Sequence, residues 1–252
     1  MNHEFEDIEV KKNSLELLKK TLRNKRKKVM ISTGSMSDPY MPVEKRLKYM
    51  RNALKLIYAY GHGFTCITKS DLILRDLDLI EKINENTKSV VQMTLTTSDE
   101  DLCKVLEPNV CTTRRRVEVL KELNRHEIPT VVWLCPILPF INDTEENIHE
   151  IIDYCIGADV KGIICFGMGM TLKEGSREYF YRKLDENFSG LKEKYKTHFK
   201  NSYHIPSPNS NRLMNIYYEK TTEAGIMNNT DEIFEYLREF PKKDTSIQTK
   251  LF

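Results

Sequence analysis

Five short stretches hold the residues that could do chemistry. Thr33-Gly34-Ser35-Met36-Ser37-Asp38-Pro39-Tyr40 crowds hydroxyls around one carboxylate. Thr68-Lys69-Ser70 adds a cation, and Thr94, Thr96, Thr97 and Ser98 add more hydroxyls. Pro136, Pro139, Asn142 and Asp143 form a fourth group, and Gly167-Met168-Gly169 a fifth. These stretches hold no histidine, no cysteine pair and no close pair of carboxylates, so neither a zinc centre nor hydrolysis by paired acid and base is expected. Hydroxyls with Lys69, and with Arg116 nearby, suit a polar ligand that carries a carboxylate or phosphate. Each group also has a plainer reading. Ser35 and Ser37 fit turn and N-cap chemistry ahead of a helix at 43–60. Lys69 fits a surface lysine at a strand end, and Arg116 a charge on a helix surface.

The six cysteines are Cys66, Cys103, Cys111, Cys135, Cys155 and Cys165, with no CxxC and no two closer than eight positions. Cys66, Cys135 and Cys165 lie in apolar strand-like runs, where cysteine acts as a small hydrophobe. A metal or cluster site built from these six alone is not expected.

The five stretches gain meaning from what precedes them. Each follows an apolar run of strand length: 29–33, 64–68, 89–96, 130–138 and 160–167. Helical spacing separates the runs. Leu15, Leu17, Leu18 and Leu22 mark a helix at 11–25. Leu47, Met50, Leu54 and Ile57 mark one at 44–60, which Gly61 can end. Further helices are expected at 71–86, at 112–127 with Thr112 or Thr113 as cap, and at 142–158. In the last of these Asp143 and Glu146 have capping-box spacing. Helical segments then follow at 174–196, 209–224 and 230–239. Residues 202–212 read as a loop with two prolines, and the end of the chain as a loose tail. Continuous apolar strands between helices point to a parallel sheet, either doubly wound or a (β/α) barrel. Ligands of both folds lie at the carboxyl ends of the strands, where the five stretches fall. The series begins with a helix, because residues 1–10 make a poor strand.

Composition sets wider bounds. With 252 residues the chain makes one large domain or two small ones, and 40% apolar with 30% charged residues is ordinary for a globular protein. The net charge of +2 gives no global case for nucleic acid, although RNKRKK (23–28) and RRR (114–116) are locally basic. No apolar run reaches the roughly 20 residues of a membrane span. The N-terminus lacks the apolar core of a signal peptide, so a cytoplasmic location with no membrane partner is expected. Oligomeric state stays open.

Taken together, GSMSDPYMPVEK, TKSDLILRDLDLI, LTTSDEDLCKVLEPNV, RRRVEVLKEL and PILPFINDTEENI resemble the spore photoproduct lyase-like branch of the radical SAM superfamily, also described as DNA repair photolyase-like. SYHIPSPN resembles the C-terminal extension of many members. The resemblance implies an α/β fold: a partial (β/α)6 barrel over residues 1–200, truncated at its N-terminus with the first strand missing. A helical extension and tail would follow over 201–252. It implies S-adenosylmethionine as cofactor, with a 4Fe–4S cluster on a CxxxCxxC loop after the first strand. Ser35, Ser37 and Asp38 match the turn that holds the amino-acid end of the cofactor. Lys69 matches a strand-end lysine of that pocket, Thr96 and Thr97 the polar end of the next strand, and Arg116 an arginine that meets the carboxylate. Gly167 and Met168 fall where the last strand meets the adenine. The resemblance admits nucleic acid as substrate. The three-cysteine loop belongs just before residue 1, and no cysteine here has its spacing. These residues alone are therefore expected to lack radical activity. Two alternatives are a non-catalytic remnant and a phosphate-binding barrel using FGMGM (166–170).

Overall fold

The computed structural model describes residues 8–241. Its centre is a five-stranded parallel sheet built from the five apolar runs: β1 (Met30–Thr33), β2 (Gly63–Thr68), β3 (Ser89–Thr94), β4 (Thr130–Trp133) and β5 (Gly162–Ile164). They pair in chain order, β1-β2-β3-β4-β5. A doubly wound sheet reverses direction at a switch point. This one does not, so its crossovers all run one way and its main helix layer lies on one face. That is the wall of an open, partial (β/α) barrel.

The helices are α1 (Ser14–Arg23), α2 (Glu44–Leu47), α3 (Tyr49–Ala59), α4 (Leu77–Asn86), α5 (Glu100–Leu106), α6 (Thr113–Arg125), α7 (Glu145–Gly157), α8 (Ser176–Asn187), α9 (Leu191–Phe199), α10 (Ser210–Glu223) and α11 (Thr230–Arg238). Leu54 and Ile57 of α3, Ile80 and Ile83 of α4, Leu120 and Leu123 of α6, and Ile148 and Ile152 of α7 are fully buried. They pack on Phe64, Cys66, Val91, Met93 and Val132 of the strands. Successive strand side chains alternate faces. The other face therefore shows Val90, Val131 and Ile164, and Ile233 and Leu237 of α11 cover these. Further along that face a polar ladder crosses the sheet. Trp133 Nε1 donates to Gln92 Oε1 (2.7 Å), and Gln92 Nε2 donates to Thr65 Oγ1 (2.7 Å). Both faces of β3 are thus covered, and every residue of the strand is buried.

Residues 201–241 pack back onto this frame. Tyr217 of α10 donates its hydroxyl to Ile163 O (2.6 Å). The expected tail at 242–252 and residues 1–7 lie outside the described residues. Among the described residues no helix is long and apolar enough to cross a membrane.

Several local expectations are corrected. The helix at 44–60 is two helices, because Lys48 has φ 53° and the Glu44 carboxylate accepts from Tyr49 N (2.9 Å) and Met50 N (3.0 Å). That carboxylate caps the second helix, so the chain restarts instead of continuing. Residues 71–76 form a 3-10 turn before α4. Asp143 is not the cap of α7: Thr144 is, accepting from Asn147 N (3.2 Å). Asp143 instead accepts from Phe140 N (2.7 Å) and Ser207 Oγ (2.6 Å). The helix at 174–196 breaks at Gly190, φ 75°. The loop at 202–212 contains a strand, β7 (His204–Pro206), antiparallel to β6 (Gly169–Thr171). α5 was not expected at all; Asp99 caps it by accepting from Asp101 N and Leu102 N.

Candidate functional site

The chain leaves β1 through a turn that only glycine can begin. Gly34 has φ 101°, and a Cβ there would lie 2.2 Å from Ile67 O. The turn is tied to β2 by Asp38. Its Oδ1 accepts from Thr68 Oγ1 (2.8 Å) and Tyr40 N (2.8 Å), and its Oδ2 from Lys69 N (2.7 Å). Asp38 therefore fixes where the turn sits over the strand end. Ser35 and Ser37 are exposed on that turn. Neither caps the following helix, whose N-cap is Val43.

Lys69 and Arg116 do come together, but on a residue absent from the sequence reading. Glu107, at the C-terminus of α5, has Oε1 2.5 Å from Lys69 Nζ and Oε2 2.6 Å from Arg116 Nη1. Arg116 is not the helix-surface charge of its plainer reading. It has no exposed side-chain area, while Lys69 is 34% exposed. Arg116 Nε also donates to Cys111 O (2.8 Å) and Nη1 to Thr94 O (3.0 Å). Its fork is used up joining the ends of β3, α5 and α6. Burial alone would raise the Glu107 carboxyl, but the charges of Lys69 and Arg116 outweigh it and hold the group below the usual carboxylate range.

Thr96 and Thr97 are buried, and their carbonyls build the next strand end. Thr96 O accepts from Asn142 Nδ2 (2.7 Å) and Asn147 Nδ2 (3.1 Å), and Thr97 O from Thr113 Oγ1 (2.6 Å). Gly167 and Met168 line a separate cleft of about 660 Å³ at the ends of β4 and β5, together with Cys135, Pro136 and Phe166. Gly167 has φ 119° with open space where a Cβ would point. Phe166 is 65% exposed, its ring 5.8 Å from that of Trp133. Burial pushes the Cys135 thiol up to about 11, Cys165 adds to the shift, and the Lys69 ammonium pulls the other way.

Gly169 explains the second glycine of FGMGM without any phosphate. A Cβ there would meet Ile205 O at 2.5 Å and Pro206 Cα at 2.9 Å. The glycine serves the β6–β7 pairing, which removes half of the support for a phosphate loop. The cysteines do not fit a 4Fe–4S cluster, which needs thiolates converging on one centre. Among the described residues no group of three or more histidine, cysteine, aspartate or glutamate side chains could hold a metal ion. Burial also pushes the thiols of Cys66 and Cys155 far above their ordinary value.

Much of the chain is similar to known proteins. An uncharacterised protein of Methanocaldococcus jannaschii is 36% identical over 143 residues, 57% of this chain and 52% of that protein. Another, from Mycobacterium tuberculosis, is 24% identical over 200 residues, covering 79% of this chain and 58% of that one. The chain thus spans little more than half the length of these curated relatives. Spore photoproduct lyase complexed with dinucleoside spore photoproduct superposes with a TM-score of 0.58 at 10% identity, over 85% of this chain and 64% of that one. Streptococcus suis SuiB bound to S-adenosylmethionine gives 0.54 at 14% identity, over 90% of this chain and 45% of that one. At such identities these two share the fold. The family model for the radical SAM superfamily matches residues 3–155, more than half of the chain, and the protein belongs to that superfamily.

Proposed function

We propose that this chain is the S-adenosylmethionine-binding barrel of a radical SAM enzyme of the spore photoproduct lyase-like branch. The observation that carries the reading is one edge of one sheet. There an exposed hydroxyl turn, a half-exposed lysine and a cleft beside an exposed aromatic ring follow the carboxyl ends of β1, β2, and β4 with β5. Ser35 and Ser37 accept from the cofactor ammonium, and Asp38 holds their turn in place. Lys69 meets the carboxylate. Arg116 acts through Glu107, and Thr96 and Thr97 hold the strand end through their carbonyls. The adenine lies by Gly167 and Met168, where the missing Cβ and the Phe166 ring leave room for a flat base.

The residues present suit the nucleotide and do not suit the cluster. No radical step is therefore assigned to these 252 residues, which bind the cofactor without cleaving it. Nucleic acid is the substrate class that fits the exposed basic run at 23–28, in a protein that works in the cytoplasm.

Anaerobic reconstitution with iron and sulfide, followed by calorimetry with S-adenosylmethionine, tests the reading. Binding of one equivalent without a stoichiometric cluster or methionine release is expected. Absence of any binding would overturn it, and so would full cluster assembly with turnover of the cofactor.

A further inference from the structure

Lys69, Glu107 and Arg116 carry two positive charges and one negative charge within 2.5–2.6 Å contacts. Within this triad the cations outnumber the carboxylate by one. Neither nearby carboxylate pairs with Lys69 Nζ: Asp38 is bonded to the neutral donors Lys69 N and Thr68 Oγ1, and Asp71 pairs with Arg115 (2.9 Å). The two cations differ in freedom. Arg116 has no exposed area and two further backbone partners, so it cannot leave. Lys69 is 34% exposed and its ammonium has Glu107 as partner. Its long stem can swing without opening the core.

We propose that Glu107 gates the carboxylate end of the cofactor site. It competes with the ligand carboxylate for Lys69, and when the ligand takes Lys69, Glu107 stays on Arg116. Lys69 and Arg116 then each face a carboxylate of their own. A group carrying a carboxylate is recognised by displacing a built-in carboxylate, and a neutral nucleoside thioether gains nothing from Lys69. This inference rests on the cofactor reading above and adds a residue to it. Glu107 is a positioning residue, because it acts through Lys69.

Two thioether nucleosides separate the arms of the test: S-adenosylhomocysteine, which has the amino-acid carboxylate, and 5′-methylthioadenosine, which lacks it. Both are titrated into the full chain by calorimetry. In wild type the carboxylate ligand binds more tightly. Glu107→Gln removes the competitor, so affinity for S-adenosylhomocysteine should rise about five-fold while that for methylthioadenosine stays level. Lys69→Met should abolish the preference, and the gain from Glu107→Gln should vanish in the Lys69→Met background. If the Gln variant does not fold, Glu107→Asp, one methylene shorter, is expected to shift the ratio in the same direction. Equal effects of Glu107→Gln on both ligands would overturn the gate and leave the cofactor reading standing. Binding of neither ligand to wild type would overturn both.

Discussion

Arg116 decides between two views of the strand ends. As a ligand residue it would touch the cofactor; as the structure places it, it is a buried staple. Replacement by Met keeps the apolar stem and removes five donors. The loss is then set by what remains. Glu107, only 10% exposed, loses one of its two cations, and Cys111 O and Thr94 O lose their donors. Breaking a buried ion pair from one side costs about 3–5 kcal/mol. Lys69 stays on Glu107, which puts the pair at the low end, and the two stranded carbonyls add about 1 kcal/mol each. A total of about 5 kcal/mol is expected. That is a large part of the roughly 5–15 kcal/mol available to a folded domain. Urea unfolding followed by fluorescence reads this directly, because Trp133 is the single tryptophan and its indole is bonded to Gln92 on β4's neighbour. Arg116→Met with Glu107→Gln should be less damaging than the sum of the two changes, since the second removes the charge that the first strands. A loss below about 1 kcal/mol, with nucleotide binding abolished, would refute the reasoning and return Arg116 to the ligand.

Four further outcomes follow. Gly169→Ala should destabilise the chain by about 2 kcal/mol or more because its Cβ meets backbone of β7, whereas Gly157→Ala, with nothing within 4 Å at the end of α7, should stabilise it by about 0.5–1 kcal/mol in the same urea assay. Cys135, with its thiol pushed up to about 11, should react slowly with iodoacetamide at neutral pH and speed up steeply only toward that value, as peptide mass spectrometry would show. The Glu107 carboxyl is held below its ordinary value, so its contribution to stability is complete above about 4.3 and fades as pH falls through the lower folded value. Urea midpoints from pH 6 down to pH 3 should therefore fall less steeply in Glu107→Gln than in wild type.

The strands were legible because burial on both faces leaves a continuous apolar run, as in TVVW of β4, where Val131 and Val132 pack on opposite faces. The open barrel, as against a doubly wound sheet, was not legible in the runs themselves; it is a fact of pairing order. Breaks were missed where a side chain overrides periodicity. The 44–60 pattern is helical throughout, yet Glu44 caps its second half and Lys48 turns left-handed. Asp143 had the spacing of a cap, but Thr144 accepts from Asn147 N and Asp143 is spent on Phe140 and Ser207.

The site shows the same limit more sharply. Sequence marks Lys69 and Arg116 as cations near strand ends, and nothing in their spacing separates them. What separates them is Glu107, brought between them by a seven-residue helix too short to announce itself by periodicity. Its cap was the readable signal: Asp99 ahead of Glu100 and Asp101 is an N-terminal signature, and it places Glu107 just past the end of α5. Once that helix is drawn, one carboxylate faces two cations of unequal mobility, and the immobile one is driven into a structural role. A buried guanidinium must have its donors met at all times, so it cannot wait for a ligand to supply them. A half-exposed ammonium can trade one carboxylate for another at little cost, because water covers the exchange. On the proposed cofactor reading, recognition falls to Lys69, and the geometry that makes it available falls to Arg116.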